Sequence, residues 1–299
     1  MIISASRRTD IPAFYTDWFV NRIRAGYCRV PNPFNLKQIS TVSLLPEDVD
    51  AFVFWSKNPA PLIPHLGELD RRGFVYYFLF TINDYPETIE PNLPAVADRM
   101  DIFKRLSDTV GPDRVIWRYD PIVISSATPQ DYHFRCFENI CSGLSGRTRR
   151  VIVSLVDYYR KTDRRLAQLE SAGITFDREA ARRPETRQLL MRIAATASVH
   201  GMDIQSCAEP PDFANVGIPP GRCIDGALIE RLGREVSHKK DPGQRSHCRC
   251  VVSKDIGVTD TCLHGCRYCY ATRDHTVAWR RHAEHDPQSP FLWSAQGTQ

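Results

Sequence analysis

The chain alternates short apolar runs with longer amphipathic stretches. Six runs predict β-strands, and a seventh run is weaker. In chain order they are Ile2–Ser6, Ala51–Ser56, Val75–Ile82, Val115–Tyr119, Val151–Val156, Asp203–Cys207 and the weaker Cys250–Ser253. Several of them are almost continuously apolar, which is typical of parallel strands that are covered on both faces.

Helices are predicted between these strands, and glycine or proline marks many of their ends. The first begins near Pro12, where Thr9 or Asp10 can cap it, and Gly26 ends it. The others cover Pro61–Arg72, Leu93–Val110, Thr128–Cys141, Thr162–Ala172, Pro184–His200, Ile224–Val236 and Ala271–His285. Strands and helices that alternate with short connections predict an α/β fold, a parallel (β/α) barrel that is either complete or partial.

Three segments are expected along the chain. Residues 1–245 form the body of the barrel, and the cysteine-rich residues 246–285 bind a cluster and close the barrel. Residues 286–299 contain Pro287 and Pro290 and have a polar end, which predicts a flexible tail.

Composition and charge are ordinary for a globular protein of this size. The 299 residues include 39 basic and 35 acidic side chains, and the net charge of +4 is too small to indicate a nucleic-acid or membrane partner. No apolar run has the length of a membrane span, and the first residues lack the order of a signal peptide. We therefore expect a cytoplasmic protein whose cysteines bind metal in preference to forming disulfides.

The most informative chemistry lies near the end of the chain. Cys262, Cys266 and Cys269 fall in one short loop with a C-x3-C-x2-C spacing, and Tyr268 precedes the last of them. Thiolates are the usual ligands of iron–sulfur clusters. A zinc site is the main alternative, but structural zinc sites favour paired C-x2-C ligands and closed four-fold coordination, which this spacing does not supply. Unligated or disulfide-bonded cysteines are a further alternative.

This cysteine spacing closely resembles the signature of radical SAM enzymes. The resemblance implies that the three cysteines hold a [4Fe–4S] cluster, whose fourth iron binds the amino and carboxylate groups of S-adenosylmethionine. An electron from the cluster, supplied by a donor such as ferredoxin or flavodoxin, then cleaves the sulfonium to a 5′-deoxyadenosyl radical that attacks a substrate.

Radical SAM enzymes carry this loop after their first strand, whereas here it comes last. The resemblance therefore implies a rotated, circularly permuted chain order. The sequence also resembles a prokaryotic family of domains of unknown function that carries such a motif at its C-terminal end. The matching segments are Ile3–Tyr15, Val53–Pro59, Trp117–Pro121 and Lys240–Ala271.

Polar residues follow most of the predicted strands, where a barrel places its chemistry. We expect Arg118, Asp120 and Lys57 to be catalytic, and their charge to favour a small, anionic substrate. The Gly-Gly-Glu-like turn by which many radical SAM enzymes hold the methionine amino group is missing. Arg7, Arg8 and Asp10 occupy the equivalent turn, and together with Tyr268 they are the expected cofactor-binding residues. The alternative is that Asp10 only caps the helix while the arginines pair with acids.

Four further cysteines surround this segment. Cys207 ends a predicted strand, Cys223 follows a Pro-Pro-Gly turn, and Cys248 and Cys250 lie just before the main loop. They predict a possible second iron–sulfur cluster or a zinc site, although buried, unligated cysteines are the alternative. Cys28, Cys136 and Cys141 are expected to be structural.

The sequence thus predicts a radical SAM-like enzyme of unknown reaction. One alternative is an iron–sulfur electron carrier or sensor that does not cleave S-adenosylmethionine. Another is a zinc-binding nucleic-acid module. The basic residues are spread along the chain and do not form the patch that nucleic-acid binding would need, so this alternative is the weaker one. The substrate, the electron donor and the oligomeric state do not follow from the sequence.

Overall fold

Seven parallel strands form one open sheet that is flanked by helices. The structure is a computed structural model, and it describes residues 1–295. The strands are β1 (Ile2–Ala5), β4 (Ala51–Ser56), β5 (Tyr76–Thr81), β6 (Val115–Ile122), β7 (Arg150–Leu155), β8 (Asp203–Ser206) and β9 (Lys254–Asp255). Their order across the sheet is β8-β7-β6-β5-β4-β1-β9. Within the described residues the two edge strands do not pair, so the sheet is open and the expectation of a complete barrel is wrong.

Nine helices connect or follow the strands within residues 1–295. They are α1 (Ile11–Phe14), α2 (Thr16–Ala25), α3 (Leu66–Arg71), α4 (Val96–Val110), α5 (Gln130–Gly143), α6 (Arg160–Ser171), α7 (Pro184–Val199), α8 (Gly226–Arg231) and α9 (His275–Ala283). Gly26 ends α2 in the left-handed conformation, at a φ of 77°, which a residue without Cβ adopts at little cost. The predicted helix Ile224–Val236 is shorter than expected and is restricted to α8.

The strands are apolar on both faces because the sheet is covered on both sides. Phe52 and Phe54 of β4 contribute to one hydrophobic cluster, and Ala51 and Val53 contribute to the other. All four residues are fully buried. This explains why the strands appear in the sequence as uninterrupted apolar runs and not as alternating ones.

The seventh predicted strand is misplaced by a few residues. Cys250–Ser253 does not join the large sheet; instead Lys254–Asp255 pairs with Ile3 and Ser4 of β1. The backbone of Val251 is used elsewhere, since it forms an antiparallel bridge with Lys240 and donates to the Ile224 carbonyl. Residues 254 and 255, from the cysteine-rich segment, nevertheless lie parallel to the first strand.

A two-stranded antiparallel hairpin has no counterpart among the predicted elements. It consists of β2 (Tyr27–Asn32) and β3 (Asn35–Ser43). Much of β3 is exposed and polar, so its sequence lacks the apolar pattern by which the other strands are recognised.

The segment after Asp286 packs on α2 over its first residues. Trp18 donates from Nε1 to the Ser289 carbonyl at 3.0 Å, and Arg22 donates to the Gln288 carbonyl at 2.9 Å. Leu292 is 1% exposed. The expected flexible tail also includes residues 296–299, which lie outside the part of the chain that the structure describes. The division of the chain into three segments stays a prediction. No helix in residues 1–295 is long and apolar enough to cross a membrane.

Candidate functional site

The loops at the carboxyl edge of the sheet enclose a cavity of about 360 Å³. All fourteen site residues named from the sequence line it. Seven are cysteines: Cys207, Cys223, Cys248, Cys250, Cys262, Cys266 and Cys269. The other seven are Arg7, Arg8, Asp10, Lys57, Arg118, Asp120 and Tyr268. Parallel strands gather their carboxyl ends at one edge, so these fourteen residues, from seven separate parts of the chain, meet here.

The loop with Cys262, Cys266 and Cys269 is held by the segment that follows β5. Asn92 donates to the Leu263 carbonyl at 2.8 Å, and Arg267 donates its amide to the Ile89 carbonyl at 3.0 Å. Gly265 has a φ of 77°, and a Cβ there would lie 2.8 Å from the Pro91 side chain. The loop therefore needs a glycine at this position both for its conformation and for its close approach to Pro91.

Arg165 of α6 fixes the other side of the cysteine loop. Its guanidinium donates to three backbone carbonyls, those of Arg267 at 3.0 Å, Thr272 and Cys269. Five N–H donors in a rigid fork suit this task, and a lysine could not reproduce it. Arg165 thus positions the loop without lining the cavity.

Asp10 is saturated by hydrogen bonds within the protein. Its Oδ1 accepts from the Ala13 amide at 3.0 Å and from Ser56 at 2.8 Å. Its Oδ2 accepts from the Lys57 amide at 2.7 Å and is 2.7 Å from Nε2 of His264. A carboxylate has about four lone-pair sites, and all four are used here. Asp10 therefore caps α1 and orients His264, and the geometry does not favour its expected role as an acceptor for a bound ammonium group.

A buried ion pair lies under the cysteine loop. Lys57 is 2.7 Å from Glu90, whose side chain is 1% exposed. Tyr268 also donates to the same carboxylate oxygen, Oε1. Burial raises the pKa of Tyr268, and the charge of Glu90 adds to the shift, so this phenol stays protonated and donates. Lys57 places its positive charge near Cys266, where it opposes the rise in thiol pKa that burial causes.

Two arginines flank Trp55 at the cavity wall. The Arg7 guanidinium lies 5.4 Å from the Trp55 ring, and that of Arg118 lies 4.6 Å from it. Arg118 also pairs with Asp120, which accepts from Ser154 at 2.7 Å. Burial opposes the charge of Arg118, but Asp120 together with the nearby Cys223, Cys207 and Tyr270 outweighs burial, so the pKa of Arg118 is raised. Arg8 instead donates to the Gly257 carbonyl at 3.4 Å.

Several buried polar atoms of the cavity lining have no hydrogen-bond partner within residues 1–295. They are Arg7 Nη2, Thr9 Oγ1, Trp55 Nε1, Arg118 Nε and His264 Nδ1. Buried polar groups are almost always paired, so a set of orphans around one cavity points to a polar ligand. The arginine nitrogens and the indole N–H are donors only, which favours an acceptor or an anion.

The other four cysteines of the cavity lining, Cys207, Cys223, Cys248 and Cys250, lie together at another part of the same cavity. Cys207 and Cys223 have their sulfurs 3.3 Å apart, and Cys250 accepts from the Ile224 amide at 3.3 Å. All ten cysteines of the chain are free thiols. Burial raises the pKa of Cys28 and Cys141 to about 12 and that of Cys136 to about 11, as expected of unreactive structural thiols.

The donor set of the cysteine loop fits an iron–sulfur cluster. Burial raises the pKa of Cys262 and Cys266, so the free thiols are protonated and a cation is needed to hold them as thiolates. Within residues 1–295, no three Cys, His, Asp or Glu side chains are already grouped around one ion position. A multi-iron cluster does not require such a grouping, since each thiolate binds a different iron.

Four residues important to this geometry were not singled out from the sequence. Three of them are Glu90, which pairs with Lys57, Trp55, which contacts Arg7 and Arg118, and Arg165, which holds the cysteine loop. The fourth, Asp255, accepts from Ser4, Ser6 and the Arg7 amide at 2.8–2.9 Å and so fixes the loop after β1. Glu90 lies in a loop and Asp255 at the end of β9, and neither leaves a periodic signal in the sequence. Trp55, by contrast, lies in Val53–Pro59, one of the segments on which the family resemblance rests.

A family model matches residues 2–271, nearly the whole chain, and its description is "Domain of unknown function (DUF1848)". The chain belongs to the DUF1848 family. No curated protein matches the chain significantly. The DUF1848 match includes both sets of cavity cysteines and both edges of the sheet, so the site lies within the family's domain.

Proposed function

We propose that this DUF1848 protein is a radical SAM-like enzyme. The observation that carries the proposal is that Cys262, Cys266 and Cys269 share one cavity with the orphaned donors of Arg7, Trp55 and Arg118. Three thiolates leave one iron of a [4Fe–4S] cluster without a protein ligand. When bound, such a cluster and S-adenosylmethionine would supply the reductive cleavage that yields a 5′-deoxyadenosyl radical.

The chain's own residues would hold these groups and exclude water. Cys262, Cys266 and Cys269 would be the ligands, and Arg165 keeps their loop in place. Lys57 and Glu90 form a buried ion pair beside Cys266, where the Glu90 charge raises the thiol pKa by more than the Lys57 charge lowers it, so the bound iron would have to stabilise the thiolate form. Tyr268 stays protonated and donates a hydrogen bond to Glu90, which holds the cysteine loop against the segment after β5.

The arginine pair would bind an anionic group. Arg7 and Arg118 lie over Trp55 and present unpaired N–H donors to the cavity. A carboxylate or phosphate is recognised by such a fork, either as the methionine carboxylate of S-adenosylmethionine or as part of a small substrate. Asp120, held by Ser154, orients Arg118 for this contact.

The pairing of β9 with β1 supports a rotated chain order. The cysteine loop directly follows β9, and β9 lies parallel to β1 at one side of the sheet. The unit made of β9, the cysteine loop and α9 therefore takes the place that a first strand–loop–helix unit would have. Position in the sheet, not position in the chain, decides which loops share the cavity.

Reductive cleavage of S-adenosylmethionine tests the proposal. The wild-type protein, purified without oxygen and loaded with iron and sulfide, is reduced with dithionite and supplied with S-adenosylmethionine. We expect at least about one equivalent of 5′-deoxyadenosine per chain. A loaded cluster that gives no product would favour an electron carrier or sensor. A protein that binds zinc and no iron would favour the zinc module.

A further inference from the structure

Cys207, Cys223, Cys248 and Cys250 form a cluster of four thiols, which we call the four-cysteine cluster. Cys207 follows β8, Cys223 follows the Pro219-Pro220-Gly221 turn, and the other two precede β9. The Cys207 and Cys223 sulfurs are 3.3 Å apart, and Cys250 lies within interaction distance of both Cys223 and Cys248. Four thiols from three separate segments thus meet in one place.

We propose that the four-cysteine cluster binds a second metal centre, fully coordinated by four thiolates. The ligand is a thiophilic dication, either a zinc ion or a [4Fe–4S] core. For zinc, four metal–sulfur bonds form as the hydrating waters leave, and each thiol proton passes to the solvent buffer. A [4Fe–4S] core is transferred preassembled, so its four earlier ligands leave with those protons and no oxidation or reduction occurs. The centre is separate from the three-cysteine loop and does not depend on the proposed function.

The charges around the four-cysteine cluster match such a centre. Four thiolates with a dication carry two net negative charges. Arg7 lies beside Cys250, and Arg118 lies near Cys223 and Cys207. Each guanidinium keeps a buried nitrogen without a hydrogen-bond partner within residues 1–295. Arg118 already pairs with Asp120, and an anionic centre would give each arginine a further negative neighbour, whereas four neutral thiols would not.

The separation of the Cys207 and Cys223 sulfurs suits the zinc form of the centre better than the [4Fe–4S] form, whose ligand sulfurs lie farther apart. Tetrahedral zinc with bonds of about 2.3 Å places its sulfurs about 3.8 Å apart. The Cys207–Cys223 separation of 3.3 Å is within about 0.5 Å of this value, and it exceeds the covalent S–S length by more than 1 Å. The sulfurs are not yet grouped around one ion position in the described residues, so binding includes side-chain rotation.

A metal centre would also explain how the irregular segment before β9, residues 232–253, is fixed to the rest of the protein. Residues 232–253 contain no helix or strand of the large sheet. Isolated bridges join Lys240 to Val251 and Ser206 to Pro220. Four metal–sulfur bonds would tie this irregular segment to β8 and to the turn before α8. Because all four ligand positions belong to the protein, the centre would support structure or electron transfer and would not bind substrate at the metal.

Metal retention by a variant without the three-cysteine loop tests the proposal. In Cys262→Ala/Cys266→Ala/Cys269→Ala, loaded without oxygen, we expect about one zinc or about four irons per chain after desalting. The zinc and iron–sulfide loadings distinguish the two forms of the centre. Adding Cys223→Ala and Cys250→Ala should lower retention to background. Adding Cys136→Ala and Cys141→Ala instead should leave it unchanged, since those thiols lie outside the cavity.

Alkylation of the wild-type protein gives a second readout that needs no variant to fold. Peptide mapping after iodoacetamide should find Cys207, Cys223, Cys248 and Cys250 modified at least about tenfold more slowly in the metal-loaded protein than after chelation. Equal rates in both states would overturn the proposal. So would a Cys207–Cys223 disulfide in protein purified without oxygen. 5′-Deoxyadenosine is not a readout here, so failure of this proposal and failure of the proposed function are distinguishable.

Discussion

Replacing Cys266 by alanine is expected to remove the cluster of the three-cysteine loop. Iron should fall by about four atoms per chain relative to wild type, and formation of 5′-deoxyadenosine should fall to background. Cys266 is 6% exposed and comes from the middle of the loop, where the backbone is already fixed by Asn92 and Arg165.

The matched control for this loss is Cys136→Ala. Cys136 is also buried, at 9% exposure, but it lies on α5 and outside the cavity. Iron content and 5′-deoxyadenosine formation should match those of wild type in this variant. Equal iron in Cys266→Ala and wild type would show that the loop binds no cluster.

Removal of Lys57 should destabilise the protein strongly. Lys57→Met leaves the Glu90 carboxylate buried with only Tyr268 as a hydrogen-bond donor and with Arg99 at 4.0 Å. Breaking a buried ion pair by removing one partner costs about 3–5 kcal/mol. The free energy of unfolding, measured by urea titration of the metal-free protein, should fall by about 3 kcal/mol or more.

Two further variants make this test specific. In Lys57→Met/Glu90→Gln the buried carboxylate charge is removed and Arg99 keeps its hydrogen bonds to the Pro94 and Asn83 carbonyls, so the loss should be smaller than in Lys57→Met alone. Asp108→Asn breaks the exposed Arg147–Asp108 pair and should cost less than about 1 kcal/mol. A Lys57→Met cost as small as that of Asp108→Asn would contradict the structural role given to the buried pair.

The strands and the cavity edge could be predicted because they obey regular rules. Six strands appeared as apolar runs, and the carboxyl ends of parallel strands must meet, so Arg7, Lys57 and Arg118 could be expected in one place. The C-x3-C-x2-C spacing of Cys262, Cys266 and Cys269 likewise indicated an iron–sulfur cluster without any knowledge of the fold. Each strand and the cysteine loop can be recognised from a few neighbouring residues, without knowing which distant residues they contact.

The rest depends on contacts between distant parts of the chain. Glu90 pairs with Lys57 across 33 residues, and Asp255 binds the loop after β1 across about 250 residues, which no local pattern indicates. Asp10 had two equally good interpretations until its four hydrogen-bond donors were placed. The seventh strand was displaced because Val251 pairs with Lys240 and not with β1.

The central claim is that the three-cysteine loop leaves one iron open to S-adenosylmethionine inside this cavity. Electron paramagnetic resonance of the reduced, loaded protein tests it most directly. The account predicts that S-adenosylmethionine changes the spectrum, and that ¹⁷O in its carboxylate broadens the lines. A spectrum that is identical with and without S-adenosylmethionine would contradict the account.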